Sequence, residues 1–251
     1  MILAVAGVIA TSVGATPMRT DESDPLRVPS LPPVRPAFAV PTPRDLARAT
    51  GTTVWAPIRT AVLARSHPAR GRVIARLDTQ TPEGTTNIVT VSGRVAIPGH
   101  GLWIQVSMPV LPNGTTGWVP RAALGGYGVV NTHLIVDRRS LTATLLRGGR
   151  PVFRAAIGIG QASTPTPAGE FYVRDELTRY SSPTYGPLAF GTSARSATLT
   201  DWPAGGYVGI HGTNQPWLLP GRVSHGCIRM RNTDILRLGR LLPVGTPITI
   251  R

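Results

Sequence analysis

The chain has 251 residues, with 26 basic side chains against 12 acidic ones and a formal net charge of +14, and the basic residues other than its five histidines are all arginine. Charge of this sign draws a protein toward anionic polymers. The arginines are scattered, however, with no basic helix and no interleaved aromatic platform, which argues against a nucleic-acid partner. A single cysteine leaves either an intermolecular pairing or a reactive thiol.

Residues 1–16 are almost wholly apolar, and Val13 and Ala15 are small enough for cleavage after Ala15. They read as a signal peptide or a short N-terminal anchor, although a basic start is missing and a membrane span needs about 20 residues. A buried strand is the alternative. Residues 17–50 form a linker whose eight prolines between Pro17 and Pro43 favour an extended, semi-rigid spacer. From 51 to 127 the pattern changes to short β-rich runs, among them Thr53-Val54-Trp55-Ala56, Asn87 to Val91, Leu102 to Val106 and Gly117-Trp118-Val119, separated by turn residues. The unit from Trp103 through Pro112-Asn113-Gly114 to Pro120 resembles the closing hairpin of bacterial Src-homology-3-like barrels. Trp103 and Trp118 are then either barrel core or the lining of a groove.

Residues 128–251 also read as mainly β. Leu134-Ile135-Val136, Leu141 to Leu146 and Pro151 to Ile159 make an antiparallel meander with turns at Asp137 to Ser140 and at Arg147-Gly148-Gly149-Arg150. One helix is expected near 232–242, capped by Asn232 or Thr233, with Ile235, Leu238 and Leu242 on one face and Pro243 as its stop.

The chemistry concentrates in Ser224-His225-Gly226-Cys227-Ile228-Arg229 and in His211-Gly212-Thr213, sixteen residues earlier. A thiol of ordinary acidity is only a few per cent thiolate at neutral pH and needs a base. His211 closes the apolar run Tyr207 to Ile210, a buried strand, and an adjacent strand would bring Cys227 to it. If 225–228 continued as a strand, His225 would share a face with Cys227. Gly212 and Gly226 let backbone approach a substrate and free amides for an oxyanion. A buried structural cysteine is the plain alternative. Zinc on His211, His225 and Cys227 lacks a fourth ligand at suitable spacing, so neither a metal nor another cofactor is expected.

Together with Ser163-Thr164-Pro165-Thr166-Pro167-Ala168-Gly169-Glu170-Phe171 and the closing run Val244 to Ile250, these segments resemble the L,D-transpeptidase catalytic domain over about residues 129–251. The resemblance implies a β-rich catalytic domain with one or two short helices, which the Src-homology-3-like hairpin resemblance precedes with a small barrel. It implies an extracytoplasmic enzyme on peptidoglycan stem peptides, without cofactor. Cys227 would be the nucleophile, ionised by His211, the general base that the Gly212 carbonyl orients. Amides of His225, Gly226 and Cys227 would hold the oxyanion. Substrate contacts are expected from Arg229, Ser224, Thr213, Tyr207, Tyr185 and Trp217. Carbapenem-type inhibitors, and phosphate-bearing wall polymers as further partners, fit the same picture. A carboxypeptidase using the same site, or a wall-binding protein with an inactive domain, are the alternatives.

Overall fold

The computed structural model describes residues 51–178, 182–199 and 206–251, all within the second of two compact units, Pro41–Arg251. The expected leader at 1–16 and linker at 17–50 lie outside the described residues.

The first sheet holds β1 (Thr53–Pro57), β2 (Val62–Arg65), β3 (Val73–Leu77), β4 (Ile88–Ile97), β5 (Gly101–Ser107), β6 (Thr116–Pro120) and β7 (Gly128–Val130), in the order β3-β2-β6-β5-β4-β1-β7. All its pairings are antiparallel. Side chains alternate across a strand, so Val54 and Ala56 of β1 are buried, and Ala56 joins Ile58, Ile104, Val106 and Val119 in a compact core. Because β7 pairs with β1, this sheet runs to Val130, past the boundary expected at 127. Trp103 is buried, its indole N–H donating to the His100 carbonyl at 3.1 Å, and Trp118 is half-buried.

The second sheet holds β8 (Thr132–Asp137), β9 (Thr142–Arg147), β10 (Arg150–Ala156), β11 (Gly158–Gly160), β12 (Gly169–Leu177), β13 (Ala189–Arg195), β14 (Tyr207–His211), β15 (Gly221–Ser224), β16 (Ile228–Arg229) and β17 (Pro247–Ile250). Their order is β10-β9-β8-β17-β12-β13-β14-β16-β11-β15. The opening meander β8-β9-β10 forms as the sequence predicts. Strand β17 then slots between β8, to which it is parallel, and β12.

The one α-helix among the described residues, α1 (Asn232–Gly239), buries Ile235 and Leu238 against the core formed with Leu134, Phe190 and Ile210. Its cap differs from expectation. Arg231, whose side chain holds no acceptor, is the N-cap and makes no side-chain cap hydrogen bond, and the Asn232 side-chain oxygen instead accepts the Thr213 N–H at 2.9 Å. The helix also ends at Gly239, before Pro243; a Cβ at Gly239 would meet Leu188 at 2.4 Å.

A polar seam joins the two sheets. Tyr172 donates its hydroxyl to the Ile88 carbonyl at 3.1 Å, Thr85 donates to Asp175 at 3.0 Å, and Asn113 exchanges two hydrogen bonds with the Arg195 backbone. At its centre Arg174, 1% exposed, contacts Glu83 at 2.6 Å and Asp175 at 3.5 Å and lies 3.8 Å over the Tyr207 ring. Breaking a buried ion pair leaves an uncompensated charge, so Arg174→Met should cost about 3–5 kcal/mol in chemical denaturation; a loss near zero would show that the seam contributes no stability.

Candidate active site

Strands β14 and β16 are parallel neighbours, with Ile210 opposite Ile228 and His211 opposite Arg229. Parallel strands need a crossover. Here it contains a short 3-10 turn, Pro216–Leu218, and β15, which pairs with β11. The result places Cys227 directly before β16 and beside the end of β14.

Strand β15 stops at Ser224, so 225–227 are not the continuous strand considered from sequence. The chain bends instead, with Gly226 at φ +119°, a region that side chains with a Cβ rarely enter. Ser224, 1% exposed, clamps this bend: its hydroxyl donates to the Cys227 carbonyl at 2.6 Å and accepts the Gly226 N–H at 3.1 Å. Thr166 braces it from outside, donating to the Gly226 carbonyl at 2.7 Å and accepting the Gly160 N–H at 2.9 Å. Two expectations change accordingly. Ser224 braces the bend rather than offering its hydroxyl to substrate, and the Gly226 amide is spent inside the bend, which removes it from the expected oxyanion donors.

Cys227 is half-buried, and the Gly209 N–H donates to its sulfur at 3.3 Å. A Cβ built on Gly209 would stand 3.9 Å from Cys227 Sγ and 4.0 Å from His211 Cδ2. Thiol and imidazole therefore flank one point on β14. His211, 2% exposed, has Nδ1 2.6 Å from the Gly212 carbonyl. A carbonyl can only accept, so Nδ1 carries the proton and Nε2 holds the free lone pair. The Tyr185 ring stands edge-on to the imidazole at 4.7 Å between centroids.

Burial governs the charge states. It pushes His211 down from 6.5 to about 4, against the Gly212 hydrogen bond and with help from the Arg229 charge. Burial also raises the Cys227 thiol above its ordinary value, more than the Gly209 amide and Arg229 lower it. The resting pair is thus a neutral imidazole and a neutral thiol, not the ionised sulfur expected from sequence, because desolvation penalises both charged forms.

These groups open into a pocket of about 260 Å³ walled by Tyr185, Tyr207, His211, His225, Cys227 and Arg229. His225 is exposed at its rim. Arg229 has no carboxylate partner among the described residues, and its buried Nε has no acceptor. Two expected substrate contacts lie elsewhere. Trp217 is 73% exposed on the 3-10 turn and absent from the pocket wall. Thr213 is buried, with its hydroxyl accepting the Gln215 N–H and its amide held by Asn232. Gly209, Thr166 and Asn232 are the supporting residues that sequence reasoning missed. Gly209 and Thr166 sat inside recognised segments, but nothing local announces that an amide aims at a sulfur. Among the described residues no group of three or more His, Cys, Asp and Glu could hold a metal.

The pattern of the L,D-transpeptidase catalytic domain matches residues 131–250. The L,D-transpeptidase-family protein YqjB of Bacillus subtilis (strain 168) is 31% identical over 127 residues, covering 47% of this chain and 70% of that protein. The chain belongs to the L,D-transpeptidase family. The family protein YkuD of the same organism is 37% identical over 118 residues, 47% of this chain, and the chain spans 65% of its length, a little under two thirds. Among solved structures, the Ldtfm-avibactam carbamoyl enzyme is 27% identical, with 48% of each chain covered and a TM-score of 0.38.

The neutral pair has a direct chemical signature in this L,D-transpeptidase site. Alkylation of Cys227 by iodoacetamide should run slower than that of free cysteine at pH 7 and climb through the alkaline range; a plateau already reached at about pH 6 would reveal an ion pair instead.

Proposed function

We propose that the protein is a peptidoglycan L,D-transpeptidase working through a Cys227 thioester. The observation that carries this reading is that the Cys227 sulfur and the His211 ring lie 3.9 and 4.0 Å from one point, a Cβ built on Gly209 of β14, with the His211 tautomer fixed by Gly212. As Cys227 Sγ attacks the carbonyl carbon of the third residue of a tetrapeptide stem, the thiol proton passes to His211 Nε2. The carbonyl π pair moves onto oxygen, where the amide of Cys227 receives it. Collapse of this intermediate breaks the peptide bond, and imidazolium returns the proton to the departing amine, D-alanine. The amine of a second stem then attacks the thioester, His211 takes its proton, and the sulfur leaves and is reprotonated, giving a 3→3 crosslink. The Gly209 N–H and the Arg229 charge stabilise the sulfur as it gains negative charge, and Arg229 also offers its cation to a substrate carboxylate. Water in place of the amine gives the carboxypeptidase reaction, the second reading. The pocket walls of Tyr185 and Tyr207 favour an occupant larger than water.

The same reading makes the first sheet a Src-homology-3-like wall module, sets the protein outside the cytoplasm, and makes the thiol a target for carbapenem-type acylation.

Cys227→Ala should abolish D-alanine release, His211→Ala should lower it about a hundredfold to ten-thousandfold, and His225→Ala should have a smaller effect. Analysis of muropeptides after incubation separates the readings: 3→3 dimers support transpeptidation, tripeptide monomers support hydrolysis, and release at the wild-type rate from Cys227→Ala refutes both.

The base must be neutral to accept the thiol proton. With His211 at about 4, kcat/KM should stay level from pH 7 down to about 5 and fall as pH drops through about 4. An acid limb centred near 6.5 would mean that the imidazole is solvated.

A further inference from the structure

Away from the catalytic pocket, four arginines and no other residue line a cavity of about 350 Å³: Arg138, Arg139, Arg222 and Arg251. Like charges do not gather without a reason, since each pair repels at short range. The one side-chain carboxylate beside them is Asp137. Its Oδ1 accepts the backbone N–H groups of Ser140 at 2.8 Å and Arg139 at 3.1 Å, and its Oδ2 meets Arg251 Nε at 3.3 Å. One side-chain carboxylate against four guanidiniums leaves a local excess of positive charge.

The cluster is also built into the fold. Arg138 donates from Nη1 to the Thr166 carbonyl at 2.9 Å, its backbone N–H donates to the Arg251 carbonyl at 2.8 Å, and Arg222 donates to the Arg138 carbonyl at 3.3 Å. The buried Nε of Arg138 has no acceptor. The guanidiniums of Arg138 and Arg222 are held by backbone carbonyls and that of Arg251 by the Asp137 carboxylate, and with Arg139 beside them they make an anion site.

We infer that this four-arginine cavity binds the phosphodiester groups of an anionic polymer that carries no bases, of the poly(glycerol phosphate) type. Guanidinium forks pair with phosphate oxygens two at a time, and a tetrahedral phosphate accepts forks from several directions where a planar carboxylate accepts them in one plane. No aromatic ring lines the cavity on which a nucleobase could stack. The location is consequential. Arg138 holds the carbonyl of Thr166, whose hydroxyl braces the Gly226 bend, and Arg222 lies on β15, which ends at Ser224. A polymer seated here is anchored at the back of the catalytic bend. This inference goes beyond the acyl-transfer reading and stands or falls separately from it.

Binding of the full chain to poly(glycerol phosphate), measured by calorimetry over a range of salt, tests it. Arg139→Gln with Arg222→Gln should weaken binding about tenfold or more and make the salt dependence shallower. A charge-matched control, Arg70→Gln with Arg72→Gln in the exposed turn between β2 and β3, should change it less than twofold. Thermal unfolding of both double variants checks that each is folded; if the pocket variant is unfolded, Arg139→Gln alone replaces it with the same criterion. Equal losses in pocket and control variants, or no loss in either, would overturn the inference in favour of diffuse surface charge. Inorganic phosphate that binds as tightly as the polymer at equal phosphate would assign the cavity to the free ion, and an oligodeoxynucleotide that binds as tightly with the same dependence on the pocket arginines would overturn the base-free polymer.

Discussion

The parallel pairing of β14 with β16 is the constraint on which the site depends. Register places His211 opposite Arg229, and this one alignment delivers an imidazole, a thiol and a guanidinium to a single pocket from two short segments. Strand β16 is only two residues long, too short to hold a register by its own hydrogen bonds. The alignment is maintained both within the pair and by the bend before it. The His211 carbonyl accepts the Met230 N–H at 2.8 Å, Ile210 and Ile228 are fully buried side by side, and Thr166 and Ser224 lock the bend before β16. A one-residue slip would turn every side chain of β16 to the other face and separate sulfur from imidazole.

Burial sets the kind of catalysis this pocket can support. An exposed cysteine and histidine exchange a proton easily but are also solvated in the ground state. Here desolvation opposes charge on both, so in the proposed acyl transfer separation of charge waits until a carbonyl carbon arrives to accept the sulfur lone pair. The groups that help are preorganised dipoles: the Gly209 amide at the sulfur and the Gly212 carbonyl at Nδ1. Both are backbone groups of β14 and its first following residue, so neither needs to move during the reaction, which is where electrostatic preorganisation has its value.

Much of this was legible in the sequence because it is written in local signals. The meander β8 to β10 was visible from alternating apolar residues and a Gly-Gly turn, and the Cys227 and His211 segments from their glycines and spacing. The helix cap was misjudged because Asn232 has a competing long-range partner, the Thr213 amide, and tertiary demand outranked capping preference. Ser224 entered the expected substrate contacts through the family resemblance; it borders the pocket, but its hydroxyl is engaged by two partners within the bend that depend on the φ of Gly226. Trp217 failed for a similar reason: a large aromatic near the site in sequence was carried outward by the crossover that parallel pairing demands. The charge state of the thiol was out of reach altogether, since desolvation depends on what packs over a residue and not on its neighbours in the chain.

The first sheet bears on the chemistry through one aromatic ring. Tyr207 opens β14, walls the catalytic pocket, and donates its hydroxyl to the Pro109 carbonyl at 3.3 Å. Its ring sits against the guanidiniums of Arg174 and Arg195 at 3.8 and 4.7 Å. Arg174 is fixed in turn by Glu83, and the Arg195 backbone by Asn113. Three residues of the N-terminal sheet region therefore determine where a wall of the pocket stands. A catalytic half separated from that region would keep its sulfur and imidazole, yet Arg174 would lose Glu83 and Tyr207 would lose its anchor at Pro109. The two sheets are joined so that the shape of the pocket, more than its reactive atoms, is a property of both.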